Sequence, residues 1–129
     1  MAKSYSKVKG RAGNGAFLAL PHALLNTGKA LNLSGWSHKL INDLGVQYNG
    51  FNNGDLCATW SMMKKRGWRS PSTLHASVKE LLLAGFIVVT RQGGRNRPTL
   101  YALTWQPVDE CKGKLDAGMK KIEAGKWRD

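Results

Sequence analysis

The sequence predicts a mainly α-helical α+β domain that ends in a small β-hairpin. Two observations carry this expectation. Apolar residues recur at helical spacing through 34–48 and 71–84, and two β-branched runs, Phe86–Arg91 and Thr99–Trp105, flank a glycine-containing loop.

At 129 residues, with 42% hydrophobic composition and five tryptophans, the chain is expected to bury one core without disulfide staples. Residues 1–16 are polar, basic and rich in glycine, and read as a flexible arm. Residues 17–106 read as the folded domain, and residues 107–129 as a polar tail. Within that tail Leu115, Met119 and Ile122 fall at i, i+4 and i+7, enough for one short amphipathic helix.

The first helix is expected after Pro21, with Leu24 and Leu25 facing inward and a stop at Asn26-Thr27-Gly28. Ser34 is placed to cap a longer helix, because Trp36, Leu40, Ile41, Leu44 and Tyr48 gather on one helical face. Two Asn-Gly pairs at 49–54 then signal turns and lead into Asp55–Ala58, a minimal strand. Thr59–Arg66 reads as a short helix stopped by Gly67.

Ser70-Pro71 is the clearest helix start in the chain. A serine N-cap satisfies one orphan amide, and proline at the first helical position removes another. Leu74, Val78, Leu81 and Leu82 supply the inward face, and Gly85 can take the left-handed conformation that closes the helix. The hairpin follows, with Gln92–Pro98 as its tip.

Short helix, tight turn, longer helix, strand, basic tip, strand is the order of a winged helix-turn-helix. The charge distribution agrees with a polyanionic partner. The net charge is +12; residues 1–14 carry four bases and no acid, and residues 55–105 carry eight bases and two acids.

Three clusters are therefore candidate DNA contacts. Lys64, Lys65, Arg66 and Arg69 lie where the turn meets a phosphate backbone. On the longer helix Ser72, Thr73, His75, Ala76, Ser77 and Lys79 are expected to face outward, as small or hydrogen-bonding groups suited to base edges in a major groove ~12 Å wide. Ser70 either caps that helix or joins its free amides in holding a phosphate, and His75 is either a solvated residue or a base contact. At the hairpin tip Arg91, Arg95 and Arg97 can reach phosphates or a minor groove, with Asn96 able to hydrogen-bond. The plainer alternative is that a polar tip keeps the strand ends soluble. Trp60 and Trp68 beside the basic cluster are read as core residues, with stacking on unpaired bases as the alternative. Trp36 and Trp105 are assigned to the core. The N-terminal arm can add minor-groove contacts.

From Asn52 to Trp105 the sequence resembles bacterial winged helix-turn-helix proteins, often of phage, plasmid or mobile-element origin. The likeness covers roughly residues 17 to 105. It rests on Ser70-Pro71, Thr73-Leu74, Lys79-Glu80-Leu81 and Gly85-Phe86-Ile87, followed by Thr90-Arg91-Gln92-Gly93-Gly94 and Leu100-Tyr101-Ala102-Leu103-Thr104. The resemblance implies that the helix carrying Ser72 to Lys79 reads DNA and that Gly93-Gly94-Arg95 forms the wing. Double-stranded DNA binding in transcriptional or replication control is the expected function. A protein-interaction module on the same scaffold and single-stranded nucleic-acid binding are the alternatives. A homodimer is compatible with this reading, through the 115–122 stripe or the helix after Pro21.

No catalytic constellation is visible, so an enzyme is not expected. His22, His38 and His75 lack metal-ligand spacing, and Cys57 and Cys111 form no CxxC pair, so neither a metal site nor another cofactor is expected. GRAGNG lacks the lysine and preceding strand of a phosphate loop. Asp109-Glu110 reads as a solubilising pair. The absence of a signal-like segment and the two scattered cysteines predict a reduced, cytoplasmic protein, and no apolar run approaches the ~20 residues that cross a bilayer.

Overall fold

Serine or threonine caps set the start of every described α-helix but the first. The computed structural model describes residues 15–116; the arm of residues 1–14 and residues 117–129, with Met119 and Ile122 of the tail stripe, lie outside the described residues. Pro21 stands before α1 (His22–Leu25), which buries Leu24 and leaves Leu25 37% exposed, against the expected pairing of the two leucines. Asn26-Thr27-Gly28 does more than stop that helix. Thr27 is extended, and its Oγ1 accepts from the Ala30 amide at 3.1 Å, so a second short helix, α2 (Gly28–Leu31), begins at once.

Ser34 caps α3 (Gly35–Gly45) by accepting from Ser37 N at 3.2 Å. Its inner face carries Leu40, Ile41 and Leu44, and also the buried polar residues Ser37 and Asp43. After the Asn-Gly turns comes α4 (Trp60–Met63), which tightens into a 3₁₀ turn at Lys64–Arg66. Gly67 ends it with φ 92°, a conformation that costs any residue with a Cβ roughly 1–2 kcal/mol.

Ser70 caps α5 (Pro71–Ala84) at 3.2 Å from Thr73 N, with Pro71 at the first helical position and Gly85 left-handed at φ 81° beyond the end. The buried stripe of α5 is Leu74, Ser77, Val78 and Leu81. It packs against α3, and the shared core takes in Leu24, Leu56, Met63, Trp68, Phe86, Ile87 and Leu103. Trp36 and Trp105 lie partly buried against this core.

β1 (Ile87–Arg91) and β2 (Leu100–Leu103) pair antiparallel, with Ile87 opposite Leu103 and Val89 opposite Tyr101, and the register shifts between Val89 and Arg91. The expected minimal strand at Asp55–Ala58 contracts to a single residue. Leu56 exchanges two backbone hydrogen bonds with Tyr101, adding a third antiparallel strand beside β2. The described residues thus form a small α+β domain with five α-helices and an antiparallel sheet.

Residues 107–116, read as the start of a polar tail, run back over the sheet. The side chain of buried Asn53 donates to the carbonyls of Leu103, Gln106 and Pro107 and accepts from Leu103 N at 2.8 Å. Asp109, expected only to solubilise, accepts from Asn53 N at 2.8 Å, and its own amide donates to Asn53 O. Farther on, Lys114 pairs with Asp55 at 2.9 Å, and Asp116 N donates to Thr90 O.

Candidate nucleic-acid interface

Asp43 organises the turn that leads into α5. Its carboxylate is 3% exposed and accepts from Trp68 Nε1 at 2.7 Å, Arg66 Nε at 2.9 Å and Lys39 Nζ at 3.0 Å. Burial pushes its pKa up, but the hydrogen bonds from Trp68, Arg66 and Lys39 outweigh it and hold the carboxyl below the usual range. Lys39 also donates to Arg66 O at 2.7 Å and lies 5.9 Å above the Trp68 ring, which stacks obliquely on Trp36 with centroids 5.0 Å apart. Trp68 is thereby fixed in the core, where its sequence context placed it.

This arrangement divides the basic cluster. Arg66 is anchored by its Nε, although its side chain stays 46% exposed. The side chains of Lys64, Lys65 and Arg69 are exposed and have no ion-pair or hydrogen-bond partner among the described residues.

Ser70 is engaged as a cap, since its hydroxyl accepts from Thr73 N and also donates to Thr73 Oγ1 at 2.8 Å. Beyond it Ser72, His75, Ala76 and Lys79 are exposed and Thr73 is half-buried. Ser77 contradicts its expected outward orientation. It is 4% exposed, because positions 74, 77, 78 and 81 follow the i, i+3, i+4, i+7 stripe that faces the core. Glu80, an acid next to this face, is also engaged. Its Oε1 accepts from Ser34 N at 3.1 Å, from Ser34 Oγ at 3.0 Å and, through a short bond, from Ser37 Oγ. The Ser37 bond, opposed by burial and aided by Ser34, holds its pKa below the ordinary value, and its charge sits at the α3 N-terminus, where the helix dipole favours an anion.

The hairpin loop is built to present one apex. Gly94 and Arg97 exchange backbone hydrogen bonds of 3.0 and 3.2 Å, which leaves Arg95-Asn96 as a two-residue tip with Asn96 left-handed at φ 60°. Gly93 is required below it, because a Cβ there would stand 2.6 Å from Thr99 N. Arg91 Nη2 donates to Pro98 O at 3.2 Å, and its Nε is buried without a partner among the described residues. Arg97 Nη2 donates to Gln92 O at 3.3 Å and lies 4.0 Å from the Asp116 carboxylate. Two of the three arginines thus brace the loop. Arg95 is exposed at the apex, with no partner among the described residues.

Helix and loop meet in one groove of about 440 Å³, where His75 and Lys79 of α5 face Gln92 and Thr99 of the hairpin over a floor that includes Trp60 and Tyr101. The turn residues Lys64, Lys65, Arg66 and Arg69 do not line it. Trp60 is half-buried there and, like Trp36 and Trp105, packs against the core. Sequence reasoning missed Asp43, Asn53 and Tyr101. An isolated acid four residues after Lys39 was the one local hint of the Asp43 site.

The thiols offer little nucleophilic character. Burial, then the Asp55 charge, pushes both Cys57 and Cys111 up, against an opposing effect of Lys114. Among the described residues no group of three or more His, Cys, Asp or Glu is placed to hold a metal ion, and no helix is long and apolar enough to cross a membrane. No family model, curated protein or solved structure matches this chain.

Proposed function

We propose that this protein binds double-stranded DNA as a winged helix-turn-helix, with α4, the Gly67 turn and α5 as the helix-turn-helix and Arg91–Pro98 as the wing. The observation that supports it most is the shared groove, which sets the exposed face of α5 beside the base of the arginine loop. Exposed cations stand on three successive elements, with Lys64, Lys65 and Arg69 on the turn, Lys79 on the helix and Arg95 at the loop apex. Ser72, His75 and Ala76 would meet base edges, while the cations would meet phosphates. Transcriptional or replication control of a mobile element is the setting we propose, for a cytoplasmic protein with no catalytic role of its own.

Fluorescence anisotropy on a mixed-sequence duplex across ~50–200 mM salt, with a matched single strand alongside, tests the reading. Steeply salt-dependent preference for the duplex is the expected result. Tighter single-strand binding would transfer the role to a stacking surface around Trp60. Absence of binding even at low salt would leave a protein partner as the reading.

A further inference from the structure

The groove between α5 and the hairpin has a chemistry that duplex DNA alone does not use. Its floor is apolar and aromatic, with Leu74, Val78, Val89, Trp60 and Tyr101 all contributing. Its exposed polar groups are His75, Lys79 and Gln92, the Lys79 ammonium is the formal charge among them, and no carboxylate of the described residues lines the groove. The outer surface of a duplex is polar and anionic, and it gains little from covering an aromatic floor. A volume of about 440 Å³ lies in the range of small-molecule sites, in which a mostly apolar wall carries a few placed polar groups.

We propose that this groove binds a small aromatic anion, a flat apolar body carrying one carboxylate or sulfonate-type group. The ring system would lie against Trp60 and Tyr101, where aromatic contacts add to simple burial. The anionic group would meet Lys79, with Gln92 and Thr99 supplying hydrogen bonds. Because His75 and Lys79 also belong to the proposed DNA face, the ligand and the duplex compete. The site stands independently of the DNA-binding reading; the competition rests on it.

The probe is anilinonaphthalene sulfonate, titrated into the full chain and followed by its fluorescence and by amide NMR shifts. Saturable binding is expected, with shifts concentrated at Ala58, His75, Val89, Gln92 and Tyr101. Lys79→Glu, at an exposed position, should weaken it ~5-fold or more, at or above the upper end for a solvent-exposed ion pair. Val89→Trp should fill the groove and abolish binding while keeping a dispersed amide spectrum. The neutral parent amine, without the sulfonate, should bind several-fold more weakly than the probe. Shifts concentrated instead at exposed Leu31 and Leu83, or indifference to Lys79→Glu, would overturn the site. Added duplex should displace the probe. If duplex binds and the probe stays, the competition is overturned and the site remains; if the probe binds and duplex does not bind at all, it is the DNA-binding reading that fails.

Discussion

Arg66 Nε lies 2.9 Å from Asp43 Oδ1, so one base of the turn cluster is held by an acid that α3 contributes from within the core. The geometry separates a structural arginine from the exposed cations around it. Replacing Asp43 by Ala removes the acceptor for Trp68, Arg66 and Lys39 together and should cost about 2–3 kcal/mol, the scale of hydrogen bonds to a charged group. Arg66→Ala should cost about 1 kcal/mol, as expected for a half-exposed pair. Urea unfolding of the two variants checks both values.

The loop arginines should separate in the same way. Arg95→Ala leaves every loop hydrogen bond in place, so stability should be unchanged, while the logarithmic salt slope of duplex binding falls by ~0.9 for one lost phosphate contact. Arg91→Ala removes the bond to Pro98 O and should lower stability by about 1 kcal/mol. Anisotropy and unfolding measured on the same two variants decide the assignment; an Arg95 variant with an unchanged slope would take the apex out of the interface.

How far the sequence could be read depended on the range of the interaction. Ser34, Gly67, Ser70-Pro71 and Gly85 act on amides and dihedrals within a few residues of themselves, and each stands where its local pattern placed it. Asp43 and Arg66 are 23 residues apart and Ser34 and Glu80 are 46 apart, so the local pattern shows neither contact, and only the spacing of Lys39 and Asp43 hints that one of the acids is engaged. Ser77 was lost for a different reason. A small polar residue in the buried stripe reads as exposed by chemistry, although its position is internal by period. At the candidate interface the basic residues were legible by type, but their division into braces and free groups depended on carbonyls and carboxylates brought together by folding.

Acid should destabilise the protein through two carboxylates. Asp43 and Glu80 both have folded pKa values below their ordinary values of 3.8 and 4.5. Groups depressed in this way contribute stability that is fully present above the unfolded value and is lost as pH falls through the folded one. Unfolding free energy should therefore be flat toward neutrality and decline once pH drops below the ordinary carboxylate range. Glu80→Gln, which keeps an acceptor but removes the titration, should show a shallower acid decline than the native chain. An identical acid limb in the two proteins would mean that the Ser34 and Ser37 bonds do not depend on the charge of Glu80.

Asn53 ties the sheet to the chain that follows it, and its replacement should destabilise the protein more than loss of Asp43, Arg66 or Arg91. Asn53→Ala leaves Leu103 N without its side-chain acceptor and withdraws the amide shared by the Leu103, Gln106 and Pro107 carbonyls. Each buried group left unpaired costs about 1–3 kcal/mol, so a loss of about 4 kcal/mol is expected, a large part of the stability of a domain this size. Asn53→Asp should be nearly as damaging, because it keeps the acceptor for Leu103 N but turns the donor toward three carbonyls into a second oxygen. Both variants retain the backbone groups that pair Asn53 with Asp109, so the damage should spread from the end of β2 and leave the α3–α5 packing until last. Native-state hydrogen exchange can resolve that order. Faster exchange at Leu103 and the neighbouring hairpin amides than at Leu81 is the expected pattern, whereas uniform acceleration would mean that sheet and helices open as one unit.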